Sequence, residues 1–294
     1  MSLPVPLEVD TLFQSVRNAL VDNSAYLAPF LPIARGQRPL ETMKPSDAFD
    51  PTKETEIEAL CSFIRNEFPN PHISSLGRWC HKATTAMPDP SILEIHGRLA
   101  AAFEQPQTQE NNTYLQFIVL TIILHALGHA IHNRFVGVKT NASAISEWPY
   151  HLAAEARPGV RQYREQGFAV EEGLFGGILG VVFQNEEEVR GRQGLGGPRG
   201  TVPKILEADW SKIDHLFIQR RDGSVYRIDP STVEQRLRPH LNLDTFDFSK
   251  LQKISPPTDI SLRTFAMFNG DHLLNADPGV GADTDEHVAG ATVR

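Results

Sequence analysis

Apolar positions along this chain recur mostly at helical spacing. Leu12, Phe13, Val16 and Leu20 repeat every three to four residues and predict a helix within residues 7–35, which ends in Pro-rich turns. Residues 39–53 read as loop. Thr55 to Phe68 carry Ile57, Leu60, Cys61, Ile64 and Phe68 on one stripe, and Pro69 and Pro71 stop that helix. Residues 73–86 read as a short helix or loop, Ser91 to Phe103 as a further helix, and Gln105 to Asn112 as a polar linker. From Leu115 to Ile131 almost every residue is apolar, which predicts a helix buried on most sides. Thr113-x-x-Gln116 has the form of a capping box and places the start of that helix at Thr113. Val136 to Pro158 is mixed and loop-like, and Arg161 to Phe183 returns to helical character.

Strand signals are few. Leu216-Phe217-Ile218 and Val225-Tyr226-Arg227-Ile228 flank Asp222-Gly223, which predicts a hairpin on a two-residue turn. Ser231-x-x-Glu234 predicts the cap of a short helix after it. Gly191–Gly200 reads as a flexible loop without a phosphate-loop signature, and residues 277–294 read as a disordered tail. The fold class expected is mainly α (α+β), with a small β-hairpin element, in one domain over residues 1–276.

Composition narrows the partners. The net charge of −8 argues against nucleic acid, because phosphate binding needs clustered Lys and Arg, and Arg220-Arg221 is too short a basic run to supply them. The two cysteines, Cys61 and Cys80, form no CxxC and read as reduced, packed thiols of an intracellular, cytoplasmic protein. Residues 1–10 lack the basic start and apolar core of a signal peptide. Leu115–Ile131 is short for a membrane span and contains Thr121, Gly128 and two histidines, so a buried core helix and no membrane partner are expected. The oligomeric state is left open.

The candidate chemistry lies inside that apolar run. His125-Ala126-Leu127-Gly128-His129 puts two imidazoles one turn apart on one helix face, close enough to grip one metal ion. The spacing is that of the zinc-hydrolase motif H-E-x-x-H, but Ala126 stands where that motif has its glutamate, the base that takes a proton from metal-bound water. A third ligand has to come from elsewhere. Glu171 and Glu172 are the best candidates, set between Val170 and Leu174-Phe175 on a later helix, where a carboxylate is costly to bury unless paired or metal-bound. Against this stands the plainer reading, in which buried histidines simply hydrogen-bond to neighbours.

These residues resemble the zincin metallopeptidases of the gluzincin type, in which two histidines of one helix and a glutamate of a later one hold zinc. The closer likeness is to fungal zincin-like proteins of uncertain function, which follow their HE-x-x-H helix with G-x-A-x-E-x-x-x-F-G-G. Here that segment is Gly167 to Gly177, and the match over residues 113–180 selects Glu171 over Glu172 as third ligand. The resemblance implies a zincin-like fold, Zn²⁺ or another divalent transition metal on His125, His129 and Glu171, and metallopeptidase-type hydrolysis of a peptide or small-molecule substrate.

Ala126 is the departure. Losing the base removes roughly 10²–10⁴-fold from proton transfer. Three explanations compete: a substitution engineered to trap substrate, a natural pseudo-enzyme, or a metal doing Lewis-acid or redox chemistry on a small metabolite. A non-catalytic protein that holds a peptide or partner in the old cleft is a further rival. A replacement base could come from Glu147, Tyr150 or His151, although that segment reads first as a turn with an aromatic anchor. Tyr163 and His215 are candidates to stabilise an oxyanion, with no motif to select either. His132, next to Asn133 and Arg134, reads as a surface histidine at the helix end. Cys80-His81 reads as packing and Glu186-Glu187-Glu188 as a solvated face. Asp244, Asp247 and Asp271 are too dispersed for a calcium loop.

Overall fold

A computed structural model describes residues 4–35, 54–74, 91–135, 166–183, 210–220 and 222–255. The loops predicted at 39–53 and 136–158, the glycine-rich segment 191–200 and the tail 277–294 lie outside the described residues. The architecture is mixed helix and sheet. Helix α1 (Leu7–Asp22) buries Val9, Leu12, Phe13, Val16 and Leu20 on one face, the stripe that its spacing predicts. A 3₁₀ turn (Ser24–Phe30) runs into the short α2 (Leu31–Ala34), and α3 covers Glu54–Asn66.

Strands β1 (Asn70–Ser74) and β2 (Ile92–His96) then pair in parallel, from Asn70 opposite Ile92 to Ser74 opposite His96. The helix predicted at 91–103 is therefore a strand followed by a short helix, α4 (Gly97–Ala102). A brief apolar run such as Ile92-Leu93-Glu94-Ile95 suits either state by pattern, and a distant partner strand decides it.

The long helix α5 (Gln109–Phe135) begins before Thr113. Thr108 Oγ1 accepts the Asn111 N–H at 3.1 Å and serves as the cap, while Thr113 sits inside the helix and donates to Gln109 O at 2.9 Å. Every residue from Phe117 to His132 is buried. By length and composition α5 could cross a membrane, but 94% of its most apolar window is buried inside the protein. It is packed by α1, α2, α6 (Gln166–Phe175), α7 (Pro230–Leu237) and strand β4 (Ile213–Gln219).

The continuous helix expected over 161–183 is instead α6 followed by strand β3 (Ile178–Phe183). Gly176 takes φ +79°, which ends the helix, and a side chain on Gly177 would stand 2.4 Å from the Gln219 carbonyl oxygen. The small hairpin becomes the middle of an antiparallel sheet ordered β3-β4-β5-β6, with β5 at Val225–Ile228 and β6 at Gln252–Ile254. Leu179 lies opposite Ile218, and Leu216 opposite Ile228. The β4–β5 connection is longer than two residues: Arg220 N–H bonds Ser224 O, Gly223 N–H bonds Arg220 O, and Gly223 takes φ +81°. The cap of α7 is Asp229, which accepts the Thr232 N–H at 3.0 Å, and Ser231 donates its hydroxyl to that same carboxylate. One contiguous cluster of buried apolar side chains draws on α1 through α7 and on β1 to β5.

Candidate metal centre

Two elements build the site. Helix α5 carries His125 and His129 on successive turns, with ring centroids 5.3 Å apart and planes inclined at 54°. Both are buried. So is His132 on the next turn, contrary to the surface position expected for it. Its polar neighbours suggest a helix end, yet the surrounding core extends a turn further than they imply. Burial holds the His132 imidazole below its ordinary value of 6.5, a hydrogen bond with Asn133 opposes that shift, and nearby His129 adds to it.

Helix α6 brings Glu171, fully buried, against His125: Oε1 lies 2.8 Å from Nδ1. Its other oxygen, Oε2, accepts the Leu179 N–H of β3 at 3.1 Å. Which group donates in the His125–Glu171 bond follows from the imidazole tautomer, while Oε2 can only accept from the backbone N–H. Phe168 meets the His125 ring edge-on at 5.2 Å. Gly167 lies against the face of the same ring, where a Cβ would come within 2.2 Å of its Cγ. The G-x-A-x-E pattern thus has a local physical meaning. Gly167 makes room for an imidazole, Phe168 packs its edge, and Glu171, one turn on, bonds its nitrogen. It is Glu171 that meets His125; Glu172 is half-buried.

Ala126 is completely buried within the apolar cluster, so the position of the absent base lies in core packing. His215 sits on β4 opposite Val182, with Nδ1 2.5 Å from Asp214 Oδ2. It therefore belongs to the sheet rather than to the α5–α6 pair. Tyr163, and with it Glu147, Tyr150 and His151, lies outside the described residues. So do Cys80, His81, Glu186 to Glu188 and Asp271.

The donor chemistry of His125, His129 and Glu171 suits a divalent metal. Among the described residues, no three His, Cys, Asp or Glu side chains are grouped to hold one ion. Glu171 has one oxygen against an imidazole nitrogen and the other on a backbone N–H. Sequence reasoning found the histidines and the glutamate but gave Gly167 and the Leu179 N–H no role. The glycine within the motif was the available signal for the first, whereas the second depends on a strand folding back. No family model, curated protein or solved structure matches this chain.

Proposed function

We propose that this chain is a zincin-like metal-binding protein with impaired hydrolase chemistry. His125 and His129 hold one divalent ion, Zn²⁺ being the one this donor chemistry suits. When bound there, such an ion would supply Lewis acidity toward the carbonyl of a peptide or small-molecule substrate. Ala126 offers no group to take up a proton, so peptide cleavage is weak or absent.

The observation that carries this reading is the fully buried Glu171 carboxylate, bonded to His125. A buried carboxylate is costly unless a cation balances it. A neutral imidazole supplies a hydrogen bond but no charge. His125 can keep the 2.8 Å bond to Glu171 while its other ring nitrogen would be open to a divalent ion, which would supply the charge. The same bond favours one other reading, in which His125 is protonated and forms a metal-free ion pair with Glu171.

Elemental mass spectrometry of the purified chain separates the two. About one zinc per chain, lost in His129→Ala, supports the metal site. A chain that stays metal-free after zinc is added overturns it and leaves the ion pair.

A further inference from the structure

We propose that residues 241–248 form a clasp that locks the end of α6 onto α5 and opens as a unit, with Arg236 of α7 as its latch. The segment is neither helix nor strand, yet it bonds or packs against α5, α6, α7 and the sheet. Arg236 is buried, and its guanidinium donates to two clasp carbonyls, Asp244 O and, at 3.4 Å, Asn242 O. Its central carbon lies 3.6 Å from the centre of the Phe246 ring. The Asn242 N–H returns a bond to Arg236 O at 2.8 Å, and the Phe246 N–H bonds Phe175 O at the end of α6, at 3.3 Å. The Phe246 ring then meets Phe117 of α5 and Phe175 of α6, each at 6.1 Å. Among the described residues no carboxylate forms an ion pair with Arg236. The clasp's carbonyls and ring are therefore what offset the cost of burying this cation. Lifting the clasp returns the guanidinium to water, so opening costs less than it would for a segment held by apolar contacts alone. The clasp accordingly opens ahead of α5, whose residues from Phe117 to His132 are all buried.

The test is native-state amide exchange of the full-length chain, followed by NMR. The amides of Asn242, Asp244 and Phe246 are hydrogen-bonded in the closed clasp. Val16→Ala thins the packing of α1 far from the clasp, at a side chain with no exposure. It is expected to speed exchange in α5 about tenfold or more through easier global unfolding, and to leave the three clasp amides unchanged. Arg236→Met keeps an apolar stem and removes the latch. It is expected to speed the clasp amides about 10–100-fold, together with Gly176, whose N–H bonds Glu172 O at 2.9 Å at the end of α6. Clasp amides that speed with α5 in Val16→Ala open only by global unfolding, which overturns the proposal. Clasp amides unchanged in Arg236→Met overturn the latch, and an unchanged Gly176 overturns the lock on α6. If Arg236→Met does not fold, Arg236→Lys, which keeps the charge and loses the forked donors, is read in its place.

Discussion

Replacing Gly167 by alanine puts a methyl group where the His125 ring lies. The new carbon would stand 2.2 Å from Cγ and 2.3 Å from both Cδ2 and Cε1, which places it over the ring face. Carbon atoms settle at about 3.5–4.0 Å, so the ring or α6 must retreat by more than about 1 Å. The ring cannot simply rotate away, because Phe168 meets its edge and Glu171 holds its nitrogen at 2.8 Å. Overpacking of this kind costs about 1–3 kcal/mol. If the retreat breaks the buried His125–Glu171 pair, up to about 3–5 kcal/mol more is lost. Alanine returns about 1 kcal/mol through its helix propensity. Because the ring is held at its nitrogen, the pair is expected to break, and the net loss is then about 3–7 kcal/mol, read as a lower urea midpoint followed by circular dichroism. Gly223→Ala is the control: nothing lies within 4 Å of its added carbon, and only φ +81° opposes it, at about 1–2 kcal/mol. A Gly167→Ala protein within about 1 kcal/mol of wild type would refute the packing argument. Unchanged metal affinity in that variant would refute the link between the ring's position and the site.

Three further predictions follow from burial. Ala126→Glu places a carboxylate at a position with no exposure, so a stability loss of several kcal/mol is expected, with a gain in fluorogenic peptide cleavage by the protein that folds; no gain in folded, zinc-loaded protein would refute the reading of position 126 as that of the missing base. Asn111→Ala strips partners from Trp210 O and the Ile213 N–H, bonded now at 2.9 and 3.1 Å. It should cost about 2–4 kcal/mol in urea unfolding, and a loss under about 1 kcal/mol would sink that assignment. His132 favours its neutral form in the fold because burial lowers its proton affinity from the ordinary 6.5. The unfolded chain therefore binds the proton more readily, and stability present above that value is lost as pH falls through the lower, folded one. Urea midpoints at pH 7.5 and 5 should differ less in His132→Gln than in wild type, and equal differences would assign the pH dependence to other groups.

The chain's own pattern accounts for much of the helical framework. The stripe of Leu12, Phe13, Val16 and Leu20 marks α1, and the apolar run around Leu115–Ile131 marks a core helix, because burial on all sides leaves no polar face. The two histidines and Glu171 were legible for a related reason: each is a polar group inside an apolar stretch, and such a group needs a partner. Ends and switches were less legible. Thr113 and Ser231 sit in patterns that resemble caps, yet Thr108 and Asp229 do the capping, because several nearby oxygens compete and backbone geometry chooses between them.

Tertiary structure decided the rest. Whether Ile92 to Ile95 is helix or strand depends on β1, and whether residues 178–183 continue α6 depends on β4. A short apolar run carries no record of its pairing partner. The role of Glu171 is of the same kind. Sequence spacing sets it near the histidines, but only the packing of α6 on α5 turns one oxygen to His125 Nδ1, and only the return of β3 gives the other oxygen the Leu179 N–H. The sequence by itself determined that His125, His129 and Glu171 are polar groups set in apolar surroundings. The meeting of α5, α6 and β3 determined which atoms of those groups face each other, since hydrogen-bond partners are fixed by distances of a few tenths of an ångström that residue identity does not encode.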